Sequence, residues 1–251
     1  LIDLFCIAEY GHRESTLRVI DSIASQKTWS PVFVGNDAHP SPPAPIPGVT
    51  VFDYDLNVGY SGNMNRLVRD AMSSYPLSII GSERQRIYTT EETVLFCCND
   101  DIEFLPGSIA ELSRFARDNF CVVGPTLVTP GSLLNPSGFG DHPQFVREDA
   151  LSLRWMDPEK LTMVCGACLV MPMEIWNAVG GFDLDYRIYF NDDQLGMDAA
   201  SLGYSVFVDP RAVVRHHAGL TMGFSQKAIE EARQLFISKN PGRTPDGTGR
   251  Y

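Results

Sequence analysis

Three groups of side chains in this sequence are of the types that hold metal ions or move protons, and each lies next to an apolar run. The first is Cys97-Cys98-Asn99-Asp100-Asp101, where an apolar strand ends in acidic side chains. Carboxylates delivered at the carboxyl end of a strand lie where an α/β sheet binds ligands. Hard cations such as Mg2+ or Mn2+ take oxygen ligands, and a diphosphate can fill the rest of the shell. A polar turn capping the helix that begins near Pro106 would use the same residues, and spacing alone leaves both readings open. The second group is Gly180-Gly181-Phe182-Asp183 followed by Tyr189-Phe190-Asn191-Asp192-Asp193. The double glycine points to a tight turn or a close backbone approach. Asp192 and Asp193 open a helix, where the dipole favours an acid in any protein; the alternative is a general base facing the first cluster. The third group is His216-His217, ahead of Gly219. Adjacent strand residues point to opposite faces, so at most one of these histidines enters a shared cleft. Carboxylates and a histidine in one cleft would supply both metal binding and proton transfer.

A fourth segment, Asn57-Val58-Gly59-Tyr60-Ser61-Gly62-Asn63-Met64-Asn65, is a polar, glycine-rich turn leading into a helix. It could offer backbone amides to a phosphate at the helix N-terminus, or simply be a turn and cap. It has neither the Lys-Ser/Thr of a P-loop nor the GxGxxG of a dinucleotide fold.

The elements that would position these groups alternate. Strands are expected at Ile2–Ala8, Pro31–Gly35, Val49–Asp53, Val94–Cys98 and Cys121–Pro125. Helices are expected at Ser15–Gln26, Gly62–Ser74 and Gly107–Asn119. Apolar residues at helical spacing, such as Met64, Leu67, Val68 and Ala71, support the second helix. Such alternation implies an α/β protein with a mostly parallel, doubly wound sheet and helices on both faces. Beyond Pro125, Thr129–Asp149 reads as loop, Thr162–Met171 as strand, and Glu174–Val179 and Asp192–Leu202 as helices. Tyr204–Asp209 and Val213–Arg215 read as late strands, and Ser225–Asn240 as a final helix capped by Ser225. One domain is expected over residues 1–240, with a flexible tail over 241–251.

Bulk composition narrows the partners. The 251 residues are 44% hydrophobic and 20% charged, with a formal net charge of −11. That balance argues against nucleic acid as a partner, and requires a metal or local donors if a polyanion is to bind. Six cysteines lie mostly in apolar runs, and the lone Cys165-Gly-Ala-Cys168 has no second pair to complete a zinc site. Reduced, buried thiols and a cytoplasmic setting are the expectation. No apolar stretch approaches the ~20 residues of a transmembrane helix. Leu1–Ala8 is too short for a signal peptide, and a chain opening inside a strand reads as part of a longer one.

Taken in order, these segments resemble the family 2 nucleotide-sugar glycosyltransferases, rhamnosyltransferase-like members among them, which have the GT-A fold. Asn57–Asn65 resembles the family's N-x-G-x-(a/s)-x-x-N segment, and Asn99-Asp100-Asp101 its DxD-like triplet in the N-x-D form. Cys165–Cys168 and Gly180–Asp183 resemble its G-x-x-(l/m) strand and GGFD turn. Phe190–Leu195 and Leu202-Gly203-Tyr204 resemble its E-D-x-D-L and L-G-Y stretches. The resemblance runs from about Ile2 to Gly223. It implies a metal, Mn2+ or Mg2+, held by Asp101 with Asn99 or Asp100 and completed by His216 (or His217). It implies Asp192 as the base. It assigns the nucleotide to Ala8, Glu9, Tyr10, Asn36, Asp37, Asn57, Gly59 and Asn63, and the acceptor to Gly181, Phe182, Asp183 and Asp193. The sequence departs from the family at Asn99, Asn191 and Gln194, where acids are usual.

The reaction so implied is an inverting, single displacement of a nucleoside diphosphate from a nucleotide sugar by an acceptor hydroxyl. The acceptor would be a soluble glycan or a lipid-linked one met at a membrane surface. Two rivals stand beside it. One is a catalytically degenerate sugar- or nucleotide-binding module. The other is a nucleotidyltransferase, for which no basic glycine-rich loop is present.

Overall fold

The structure is a computed structural model, described for residues 2–26, 30–41, 45–78, 92–129, 144–147, 157–217 and 226–243. Among these residues ten strands form one sheet. In chain order they are β1 (Ile2–Glu9), β2 (Val32–Asn36), β3 (Val49–Asp53), β4 (Thr93–Asn99), β5 (Ile102–Phe104), β6 (Val122–Thr129), β7 (Phe145–Arg147), β8 (Glu159–Leu161), β9 (Cys168–Pro172) and β10 (Val206–His216). Six helices accompany them among the described residues: α1 (Arg13–Ser25), α2 (Gly59–Ser78), α3 (Ser108–Asn119), α4 (Met173–Val179), α5 (Asn191–Ser201) and α6 (Gln226–Lys239).

The strands run in the order β3-β2-β1-β4-β9-β6-β10-β5, with β7 beside β6 and β8 beside β10. β3, β2, β1 and β4 are mutually parallel, and so are β6 and β10. β9 joins the two parallel halves by running antiparallel to both β4 and β6. One consequence governs the rest. The carboxyl ends of β1, β2, β4, β6 and β10 and the amino ends of β9 and β5 all reach the same rim, and the acidic segments sit on those ends.

Strand alternation divides the core into two layers. Phe5 and Ile7 of β1 face α1 and α3, packing with Val19, Ile23, Leu112 and Phe115. Leu4 and Cys6 face the other way, toward Met64, Leu67 and Ala71 of α2 and Leu195 of α5. Each Val, Leu, Ile, Phe or Met side chain so buried contributes roughly 1.5–3 kcal/mol of transfer free energy. α6 belongs to neither layer. Its Phe236 forms a separate cluster with Tyr186 and Phe190.

Several expectations need correction. The segment 129–149 is not all loop, because β7 pairs with β6 there. The strand expected over 162–171 starts only at Cys168; residues 162–167 form turns that carry Cys165 and Gly166 to the rim. The two late strands are one strand, β10, with a register shift between Asp209 and Val213. α2 begins at Gly59, three residues before the expected start, because Asp37, just past the end of β2, caps it from outside the local sequence. All six thiols are free, and only Cys165 is not fully buried. Ser225 and the tail beyond residue 243 lie outside the described residues.

Candidate active site

The rim encloses a cavity of about 450 Å³, within the range of small-molecule sites. Of the residues singled out above, Ala8, Glu9, Tyr10, Asp37, Asn57, Gly59, Asn63, Asn99, Asp100, Asp101, Asp192 and His216 line it. Five strand ends, the start of α2 and the start of α5 therefore deliver side chains far apart in sequence to one place.

The acidic end of β4 and the end of β10 meet through β5, whose Ile102 pairs with His216. Asp101 is 4% exposed. Its Oδ1 is buried without a well-aligned hydrogen bond and lies 3.3 Å from His216 Nε2. Burial works to raise the Asp101 pKa, but His216, His217 and the residue's own N–H outweigh it and hold the carboxyl below its ordinary value. His217 turns away from the cavity: its Nε2 lies 3.7 Å from Glu103, while its N–H donates to the Asp101 carbonyl at 2.8 Å. Asp100 accepts the Tyr10 N–H at 3.3 Å, tying β4 to β1. Among the described residues no three His, Cys, Asp or Glu side chains are arranged to hold a metal alone. The donor set still fits a hard cation, because an ionised, buried carboxylate oxygen without a hydrogen-bond partner faces an imidazole nitrogen. Such an ion would take its remaining ligands from phosphate oxygens and water.

Asp192 stands in the first turn of α5. Its Oδ2 accepts the Gly166 N–H at 2.7 Å and its Oδ1 accepts the Asp193 N–H at 3.1 Å. The Gly166 carbonyl in turn accepts the Tyr60 hydroxyl at 2.8 Å, so α2 braces the turn that holds the carboxylate. Desolvation raises the Asp192 pKa despite these hydrogen bonds, the direction that suits a base working near neutral pH. Phe190, two residues earlier, has φ 62. That left-handed backbone is costly for a bulky side chain and is held by packing against Phe236 of α6. Asn191 and Gln194, two of the three departures from the family pattern, are both engaged. Asn191 donates to Ser61 Oγ at 3.0 Å. Gln194 accepts from the Tyr186 hydroxyl and from Asn240, and donates to Asp198.

The nucleotide set divides. Glu9 is 3% exposed, with Oε2 buried and unpartnered, and burial raises its pKa against the pull of Arg13, Thr16 and His39. Tyr10 is 40% exposed and meets His39 edge-on. Asn36 does not line the cavity; it is 1% exposed and its amide is spent on Asp53 and His39. Asp37 lines the cavity, but its oxygens accept the Val58 and Gly59 N–H groups at 2.9 Å and pair with Arg66 at 2.6 Å. The Ser61 N–H goes to the Arg187 carbonyl. Three amides at the opening of α2, a phosphate cradle by sequence, are thus already used. Asn63 joins α2 to β2 by donating to the Gly35 carbonyl at 2.8 Å.

The acceptor set is placed differently from expectation. None of Gly181, Phe182, Asp183 and Asp193 lines the cavity. Gly181 has φ 81 and packs beneath Asn65 and Trp176. Phe182 is 2% exposed, between Tyr60 and Trp176. Asp183 pairs with Lys239 at 2.5 Å, and Asp193 is wholly buried. The GGFD turn supports the wall from behind. The wall itself includes Cys165 and Tyr189, which lay in segments quoted above without a role, and Phe145, Arg187 and Ile188, which sequence reasoning missed. Arg187 alone left a signal, as a lone cation between two acidic segments. Phe145 left none, since its strand is three residues long and lies in a polar stretch.

No family model matches the chain. In sequence it is 24% identical, over 229 residues, to an N-acetylglucosaminyl-diphospho-decaprenol L-rhamnosyltransferase of Mycobacterium tuberculosis, covering 80% of this chain and 71% of that protein. It is also 25% identical over 187 residues to an uncharacterized protein of Sinorhizobium fredii, covering 67% of this chain and 20% of that one. Among solved structures it superposes on GalNAc-T7 with UDP, GalNAc and Mn2+ at a TM-score of 0.60 and 13% identity, over 86% of this chain and 44% of that one. A mannosyltransferase from Pyrobaculum calidifontis with GDP-Man and Mn2+ gives 0.60 and 15%, over 98% and 66%. Residues 1–349 of S. aureus TarS with UDP give 0.57 and 11%, over 95% and 65%. The chain thus spans less than two thirds of these solved chains, and at such identities they establish the fold alone. They show that the chain has the GT-A fold of glycosyltransferases, and in sequence it is similar to a rhamnosyltransferase.

Proposed function

We propose that the chain is a metal-dependent, inverting glycosyltransferase that moves a sugar from a nucleoside-diphosphate sugar to an acceptor hydroxyl. The observation that carries this reading is one cavity holding both the Asp101–His216 pair and the braced Asp192 carboxylate. Asp101 and His216 would hold a divalent cation, Mn2+ or Mg2+, with Asn99 and Asp100 beside them. When bound, that ion supplies positive charge to the departing diphosphate. Ala8, Glu9 and Tyr10 flank the nucleoside. Asp192 accepts the proton of the attacking hydroxyl as the new bond forms on the face opposite the leaving group, which inverts the anomeric carbon. The Gly166 and Asp193 amides fix the carboxylate, so its orientation is set before the acceptor arrives.

The rhamnosyltransferase relative favours a deoxyhexosyl donor and a sugar linked through diphosphate to a lipid as acceptor. Such an acceptor would be met from the cytoplasmic side by peripheral contact, since no described helix is long and apolar enough to cross a membrane. A degenerate binding module is less well supported, because Asn191 and Gln194 act as struts around a retained carboxylate.

The test is a melting panel of nucleoside diphosphates and sugar nucleotides with and without Mn2+. Saturation to about 100 times Kd adds ~2.7 kcal/mol to the native state. A metal-dependent rise with one base, lost in Asp101→Ala, supports the reading. A flat panel with wild-type protein refutes it.

A further inference from the structure

Building on the donor-site reading, we infer that Arg187 is the cation that grips a phosphate group of the substrate inside this cavity. The lining carries the carboxylates of Glu9, Asp37, Asp100, Asp101 and Asp192, and Arg187 is its one Lys or Arg among the described residues. Asp37 is already matched by Arg66. A diphosphate entering here therefore meets an excess of negative charge, which one divalent ion beside Asp101 only partly offsets. The Val58, Gly59 and Ser61 amides at the start of α2 are spent on Asp37 and on the Arg187 carbonyl, so they do not offset that charge.

Arg187 is built for the task at both ends. Its carbonyl accepts the Ser61 N–H, and the neighbouring Tyr186 carbonyl accepts the Ser61 hydroxyl. Its stem lies against Gly59, where any Cβ would collide with Arg187 Cγ, and Gly59 has φ 76. Nη2 donates to the carbonyl and side-chain oxygens of Asn57, which sets the plane of the guanidinium. No carboxylate pairs with it among the described residues, and the side chain is exposed. An oriented guanidinium with unspent N–H groups binds phosphate oxygens in pairs, which a lysine ammonium does not. Its seat beside Asn57 and Gly59, the segment that Asp37 caps, places it on the donor side. A diphosphate carried by the acceptor has the same chemistry.

Calorimetric titration of wild type, Arg187→Gln and Arg187→Lys distinguishes these sources. The probes are the diphosphate and monophosphate of whichever nucleoside the wild type binds with Mn2+, and a short-alkyl diphospho-N-acetylglucosamine. A donor role predicts that Arg187→Gln weakens the nucleoside diphosphate tenfold or more, the monophosphate less, with Arg187→Lys between and melting midpoints unchanged. If only the alkyl diphosphate weakens, the phosphate held is the acceptor's. If the wild type binds both probes and neither weakens, the inference is overturned while the donor-site reading stands. If the wild type binds no nucleotide at all, the donor-site reading itself has failed.

Discussion

Replacing Asp192 by Asn tests the base assignment with the smallest change of shape. Loss of general-base help is worth about 10²–10⁴-fold in rate, or roughly 2.7–5.5 kcal/mol of barrier at 1.36 kcal/mol per tenfold. The structure adds a second effect. Both carboxylate oxygens accept backbone N–H groups, from Gly166 and Asp193. An amide has one oxygen, so one of those N–H groups must face an NH2 group, at a cost of ~1–3 kcal/mol. Removing a desolvated charge offsets part of that cost, so the fold should survive with a modestly lowered midpoint. The pH dependence follows from the raised pKa. The base must be ionised, so wild-type kcat falls as pH drops through a value above the usual Asp 3.8. The native state also holds this proton more tightly than the unfolded chain. The group's contribution to stability therefore declines as pH rises from the ordinary carboxylate value through the raised one. Nucleoside diphosphate release, followed against pH in both proteins, reads these effects. A variant that keeps kcat within threefold of wild type, with the same acid limb, would refute the assignment.

Other perturbations probe the scaffold and the metal. His216→Ala should abolish the Mn2+-dependent part of the nucleotide melting shift and lower the metal-free midpoint, because buried Asp101 loses its imidazole partner; an undiminished shift would remove His216 from the ion's ligands. Gln194→Ala removes the acceptor shared by Tyr186 and Asn240 and the donor to Asp198. It should cost about 1–3 kcal/mol and speed hydrogen exchange in α6, whereas native exchange there would show that Gln194 is no strut. Gly196→Ala would drive a methyl into the Thr162 carbonyl oxygen and to 3.0 Å from Met163 Cα. Such overpacking costs about 1–3 kcal/mol, read as a lower urea midpoint; an unchanged midpoint would mean that α5 can shift freely.

Strand ends were legible in the sequence where an apolar run stopped at an acid. β4 ending at Asn99 and α5 opening at Asn191 are of that kind, since burial and helix capping both leave local marks. β5, β7 and β8 were not legible, because strands of three residues carry too little alternation to read. Residues 162–167 are apolar for a different reason. Met163, Val164 and Ala167 are buried, yet the backbone turns there to present the Gly166 N–H to Asp192. Long-range capping was equally invisible, as Asp37 lies 22 residues before the Gly59 amide it accepts. The GGFD turn misled in a more instructive way. Gly181 does mark a close approach, but to Asn65 and Trp176 behind the wall, while Gly180 faces open space.

The central claim is transfer from a sugar nucleotide with inversion, and the most direct measurement is the anomeric state of the first sugar released. The protein would be incubated with Mn2+ and the sugar nucleotide that raises its melting midpoint, and followed by proton NMR from the first turnover. The account predicts metal-dependent release of nucleoside diphosphate and a sugar of opposite anomeric configuration, both lost in Asp101→Ala. Release with retained configuration, or no cleavage by a protein that binds the nucleotide tightly, would contradict it.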